Sequence, residues 1–322
     1  MASPVNVLVL SRPGPHLVEL EALDGAARLT VTDNPERATE AALRAEVILN
    51  GFFTGSLLRA AFPMAHSVRW VHTLSAGIDR VLFPELIHSP VILTNGRGVF
   101  RRPLGEFVMA AAMFFAKDLR RLVRNQEAGL WQQFNIEELY GRTMGIIGFG
   151  EIGRAAAELA KPFGMRVIAI RRRPDLSGKD PLLDAVYPPS ALHYLLRESD
   201  YVVVTAPCTP ETRGMIGAPE FDVMKPTAII MNVGRGPVIV EPALVRALED
   251  RRIRGVALDV FDEEPLPRDH PFWRLPNVLL SPHSADHTAG WLERAVSMFV
   301  RNFQHFVKGE PLENIVDKQA GY

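Results

Sequence analysis

The 322-residue chain carries 36 basic and 37 acidic side chains, for a formal net charge of −1, with 47% hydrophobic and 23% charged residues. That composition is ordinary for a folded protein with room for two cores, and gives no electrostatic reason to expect nucleic acid or an anionic membrane as partner. The one cysteine, Cys208, rules out an intrachain disulfide and a cysteine-rich zinc site. No metal is expected, and a reducing, cytoplasmic location fits.

The N-terminal run MASPVNVLVLSRPG has no basic leader, and its apolar stretch ends in the turn-forming Arg-Pro-Gly, so it reads as a first strand rather than a signal peptide. No apolar stretch is long enough to span a bilayer, so a soluble protein is expected. Short β-rich runs then alternate with helix-patterned segments. Strands are expected at 5–10, 29–32, 47–50, 68–72, 91–94, 144–147, 166–170, 201–205, 228–232, 255–260 and 278–281. Near-continuous apolar strands alternating with helices mean parallel sheets covered on both faces. Eleven such strands are too many for one small sheet, so the fold class is α/β with two doubly wound domains.

One long helix is expected after Pro103 and onward toward Trp131, and a second from about Asp286 through Phe306. These two would connect the domains. On that reading a Rossmann cofactor domain, residues 101–286, is inserted into a flavodoxin-like substrate domain, residues 1–100 and 287–322. A plain tandem is the competing arrangement.

The segment GFGEIG follows a strand and opens a helix, with a second strand after it. That order fits dinucleotide binding. Gly148 permits the tight turn, Gly150 lets the backbone approach a pyrophosphate, and Gly153 lets the helix pack on the strand. The amides of Glu151, Ile152 and Gly153 would meet the anion. Where an acidic residue would bind the ribose hydroxyls, the chain has Arg171, Arg172 and Arg173. Guanidinium groups suit a 2′-phosphate, so NADP(H) is favoured and NAD(H) is possible, with Asp175 as an alternative ribose ligand.

Three polar clusters follow later strands: NVGRG with Arg235, LDVFDEEPLP with Asp259 and Glu264, and SPHSA with His283. Reduction of a 2-oxo acid needs a cation for the carboxylate and carbonyl, and an acid for the forming alkoxide. Arg235 suits the first role and His283 the second, with Glu264 holding the imidazole charged and oriented.

Together with APCTPETRGMIG and WVHTLSAGID, these motifs resemble the D-isomer-specific 2-hydroxyacid dehydrogenase family over nearly the whole length. The resemblance implies that Arg235, Glu264 and His283 are catalytic. It implies that Asp259 and the backbone at Val233 hold the nicotinamide carboxamide, and that the Ser75, Ala76, Gly77 and Ile78 loop offers amides to the substrate carboxylate. Ala206, Pro207, Thr212, Gly234 and Ala285 fall in the same cofactor-binding motifs. It further implies a homodimer formed through the cofactor domain.

Two positions depart from the general pattern: Arg171 replaces an acidic residue and Cys208 stands where leucine is usual, read as a small apolar residue. Arg97 is a candidate for a substrate's distal anionic group, against an inter-domain ion pair; His72, His287 and Trp291 are expected to pack in a core or interface. The expected activity is that of a glyoxylate or hydroxypyruvate reductase. The alternatives are a 3-phosphoglycerate dehydrogenase-like enzyme, a formate or phosphite oxidoreductase, and a non-enzymatic dinucleotide-sensing corepressor. Against the last, the chain ends soon after its final helix without a regulatory tail.

Overall fold

The computed structural model describes residues 3–52, 54–176 and 179–321. In chain order the elements are β1 (Val5–Leu10), β2 (Ala27–Thr32), α1 (Pro35–Ala42), β3 (Val47–Asn50), α2 (Ser56–Ala61), β4 (Trp70–Thr73), α3 (Pro84–His88) and β5 (Ile92–Asn95). There follow α4 (Arg101–Ala116), α5 (Leu119–Glu127), β6 (Thr143–Ile147), α6 (Glu151–Ala160), β7 (Arg166–Ile170), β8 (Ala185–Tyr187), α7 (Leu192–Glu198) and β9 (Tyr201–Val204). The last are α8 (Ala218–Val223), β10 (Ile229–Asn232), α9 (Glu241–Glu249), β11 (Gly255–Leu258), β12 (Val278–Leu280) and α10 (Trp291–Lys308).

The chain forms two compact units, Met1–Phe100 with Thr288–Tyr322, and Arg101–His287. Each has one wholly parallel sheet, in the order β2-β1-β3-β4-β5 and β12-β11-β10-β9-β6-β7-β8 respectively. Both sheets are as the alternating pattern requires. In the second, the strand order reverses between β6 and β9, the switch point beside which ligands bind in such folds.

In the first unit the last helix returns to complete the core. Phe299 of α10 stacks on Trp70 of β4 with ring centroids 5.1 Å apart and planes 22° from parallel. Both rings are fully buried, and an offset pair of this kind contributes about 1 kcal/mol beyond area burial. The unmatched expectations have local causes. The helix after Pro103 breaks at Asp118, whose φ of 48° caps α5 by accepting from the Arg121 amide, and Trp131 lies beyond α5. The last helix begins at Trp291, after a left-handed Gly290. Strand β8 is a three-residue, half-buried edge strand that gives almost no periodic signal.

His72 is wholly buried in β4, with Nδ1 2.7 Å from Thr94 Oγ1, and burial pushes its pKa down to about 3. Folded His72 therefore stays neutral where the unfolded chain would take up a proton. Stability is full above the unfolded value near 6.5 and is lost as pH falls below it, at about 1.4 kcal/mol per pH unit. Denaturant unfolding followed from about pH 7 to pH 4 checks this: His72→Asn should flatten the slope, and an unchanged slope would assign it to other groups.

Candidate active site

Strand β6 ends in Gly148, which adopts φ 96°. A side chain there would be strained by the backbone and would also meet the Ala206 amide at 2.7 Å. Gly150 precedes α6 with nothing within 4 Å of where a Cβ would stand. The helix has no side-chain cap, and its first-turn amides, at Glu151, Ile152 and Gly153, have no intrahelical acceptor. Open space in front of an uncapped helix N-terminus fits a dinucleotide's pyrophosphate.

Arg171 and Arg172 follow β7 directly, and the Arg171 amide donates to Tyr187 O at 3.0 Å. Arg171 is half-buried, Arg172 is exposed, and the Arg172 charge acts on nearby Glu211. Glu211 is held below the usual carboxylate range, chiefly by the Thr209 hydroxyl. Asp175 is exposed in the turn that follows the arginines. After β9, Ala206 is buried and Pro207 exposed, and Pro207 O accepts from Thr212 Oγ1 at 2.5 Å. Cys208 packs against the apolar core of this unit.

The catalytic candidates converge from three strand ends. After β10, Asn232 folds its side chain over the turn: its Oδ1 accepts from the Gly234 amide and its Nδ2 donates to Arg235 O, both at 3.0 Å. Val233 and Gly234 are buried there, and Arg235 Nη1 donates to Gly234 O at 2.8 Å. Gly236 is required by close packing, since a Cβ would lie 2.1 Å from the Phe261 carbonyl carbon. That approach sets the arginine turn against the loop that carries Glu264.

Glu264 is bonded at both oxygens. Oε1 accepts from the Phe261 amide at 3.1 Å, and Oε2 lies 2.9 Å from His283 Nδ1. This bond raises the His283 pKa above its usual value; partial burial and Arg235 oppose the shift, and Asp259 adds to it. By linkage, the ion pair's stabilisation is full below the unfolded pKa near 6.5 and fades as pH rises through the elevated folded value.

His283 has φ 50°, a left-handed conformation uncommon for a histidine. Three bonds of its turn meet at one atom: Asp259 Oδ1 accepts from Ser281 Oγ at 2.6 Å, the Ser284 amide at 2.9 Å and the Ala285 amide at 3.0 Å, while the His283 amide donates to Ser281 O at 3.0 Å. Ser281 and Ser284 were not singled out from sequence, although both flank the histidine. Asp286, expected only as a helix start, has its pKa raised by burial, and its Oδ1 has no hydrogen bond among the described residues and lies 3.7 Å from His287 Nε2.

The structure thus brings Arg235, Glu264, His283 and Asp259 together in the Arg101–His287 unit. Ser75, Ala76, Gly77 and Arg97 lie in the other unit. There, Ser75 is buried, Ala76 and Gly77 are half-buried, and Arg97 is exposed. His72 belongs to that unit's core, Trp291 contacts Phe100 with centroids 5.7 Å apart, and His287 is exposed.

Asp259→Ala should lower stability by about 3 kcal/mol, because two amides and a hydroxyl lose a charged acceptor. Asp259→Asn keeps an acceptor oxygen and should lose less than half of that. Chemical denaturation distinguishes the two; equal losses would contradict the role of Oδ1.

The model of the "D-isomer specific 2-hydroxyacid dehydrogenase, NAD binding domain" family matches residues 109–285. A glyoxylate reductase from Thermococcus gammatolerans is 36% identical over 270 residues, covering 80% of this chain and 79% of that protein. A D-isomer specific 2-hydroxyacid dehydrogenase family protein from Aeromonas salmonicida superimposes with TM-score 0.85 at 31% identity, covering 98% of this chain and all of that one. An NADPH-dependent glyoxylate/hydroxypyruvate reductase from Sinorhizobium meliloti, solved with NADP and sulfate, superimposes with TM-score 0.83 at 26% identity, covering 99% of this chain and all of that one.

Proposed function

The chain belongs to the D-isomer-specific 2-hydroxyacid dehydrogenase family, and from that premise we propose that it exchanges hydride between NADP(H) and a small 2-oxo acid of the glyoxylate or hydroxypyruvate type. The observation that carries the reading is the Glu264–His283 pair set beside Arg235. When bound, the nicotinamide supplies the hydride. Arg235 binds the substrate carboxylate and polarises the carbonyl. Glu264 engages Nδ1, which leaves Nε2 of protonated His283 to donate to the oxygen that becomes alkoxide. Asp259 and the Val233 backbone hold the carboxamide end of the cofactor. In oxidation, neutral His283 takes the proton back.

The cofactor preference rests on Arg171 and Arg172 at the end of β7, with the S. meliloti reductase as a supporting parallel. NADPH consumption at 340 nm with glyoxylate, hydroxypyruvate and pyruvate tests the activity. At least about tenfold higher kcat/KM with NADPH than with NADH is expected, as paired guanidinium–phosphate bonds would give. A preference for NADH would remove the arginine assignment, and no turnover with any 2-oxo acid would remove the substrate class.

The pH profile tests the proton donor. In reduction His283 must be protonated, so kcat/KM should fall as pH rises through its elevated pKa. Glu264→Gln removes the main cause of that elevation and should move the fall to lower pH. An unshifted profile would take Glu264 out of this role. His283→Ala should lose most of kcat while keeping cofactor affinity.

We also propose a cytoplasmic homodimer. Helix α5 buries none of its own residues, and Leu122, Val123, Leu130 and a 97% exposed Trp131 form an apolar run with it. A second copy would cover this run through the same surface, as two-fold symmetry requires. Sedimentation should give a dimer that Leu122→Glu with Trp131→Glu converts to monomer; a wild-type monomer at micromolar concentration would contradict it.

A further inference from the structure

Three polar residues end neighbouring strands of the first unit in register: Asn50 of β3 lies opposite Thr73 of β4, and Thr73 opposite Asn95 of β5. All three are buried. From them a set of side-chain bonds reaches the loop after β4. Asn50 Nδ2 donates to Thr73 Oγ1 at 3.3 Å, and Thr73 Oγ1 lies 3.0 Å from Ser75 Oγ. Ser75 Oγ donates to Gly77 O at 2.9 Å. Because the serine proton goes to Gly77, the Thr73 hydroxyl is the donor to Ser75, and the chain runs in one direction, each bond polarising the next.

Asn95 acts on the same loop from the other side. Its Nδ2 donates to Ala76 O at 2.7 Å, and its Oδ1 accepts from the Arg97 amide at 3.3 Å. The Gly96 amide donates to Ser75 O at 2.9 Å. Three successive carbonyls, of Ser75, Ala76 and Gly77, are thus each fixed by a donor.

In a planar trans peptide the N–H points opposite to the C=O. Turning these three carbonyls toward their donors therefore turns the amides of Ala76, Gly77 and Ile78 the other way. None of the three has an acceptor among the described residues. A run of unpaired amides is costly in a finished fold, and successive amides in such a turn form an anion-binding concavity.

We infer that Asn95 and Ser75, backed by Thr73 and Asn50, are positioning residues that aim this array at the substrate carboxylate. The inference rests on the 2-oxo acid reading above. It assigns a share in substrate affinity to side chains that bond the loop's carbonyls and leave its amides open. Losing either bond lets a peptide plane turn, so the effect falls on the 2-oxo acid and spares the cofactor.

Steady-state kinetics of Asn95→Ala, Ser75→Ala and Ser75→Thr with NADPH and both glyoxylate and hydroxypyruvate tests it, with oxamate inhibition as a binding readout. The two alanine variants should raise the 2-oxo acid KM and the oxamate inhibition constant about tenfold, as misplacement of a binding group does. The NADPH KM should stay within about twofold, and Ser75→Thr, which keeps the hydroxyl, should restore the wild-type 2-oxo acid KM. A purely structural role would lower the melting temperature without moving this KM. If Asn95→Ala does not fold, the two Ser75 variants decide. Wild-type turnover with an unchanged KM in Ser75→Ala overturns the clamp alone. A wild type inactive on every 2-oxo acid overturns the substrate reading and the clamp with it.

Discussion

Oδ1 of Asp259 accepts three hydrogen bonds from the residues on either side of His283, and the chemistry proposed for the site depends on that one oxygen. It holds the turn in which His283 takes a left-handed φ and its imidazole Nδ1 lies 2.9 Å from Glu264 Oε2. Asp259 itself continues from β11, and its amide bonds to Asn232 O at the end of β10. The position of the histidine is thereby referred to the sheet through a buried carboxylate. Low local polarity strengthens such bonds and makes their loss expensive.

Both units use the same construction. An apolar strand ends in a buried polar residue, and that residue orders the loop beyond it. Asn232 folds over the Arg235 turn, Asp259 holds the His283 turn, and Asn95 with the Asn50–Thr73–Ser75 relay holds the loop at Ala76. Within each unit the parallel sheet puts the carboxyl ends of its strands on one edge, so loops distant in sequence are neighbours while each is fixed by its own strand.

The architecture and the chemical side chains were legible in the sequence for different reasons. Strands buried on both faces leave long apolar runs, and the GFGEIG turn, NVGRG and SPHSA each carry residue types with a specific chemical use. Less legible features depend on tertiary register. Ser281 and Ser284 are unremarkable until Asp259 lies beside them, and the link from Asn50 to Thr73 exists only because β3 and β4 pair with those residues opposite. One signal was available: runs such as VILN, WVHT and ILTN end in a polar residue that an ordinary buried strand has no need of. The break at Asp118 was also readable, as an aspartate in helix-capping position ahead of Leu119. Strand β8 was not, being too short and too exposed to impose a period.

The central claim is that the site moves hydride onto the carbonyl carbon of a 2-oxo acid while His283 delivers the proton. Mass spectrometry of the product formed from glyoxylate and NADPH deuterated at the transferable position of the nicotinamide tests it directly. Deuterium at C2 of glycolate, lost together with turnover in His283→Ala, is the predicted result. Glycolate formed without deuterium at C2, or labelled glycolate formed at the wild-type rate by His283→Ala, would contradict the account.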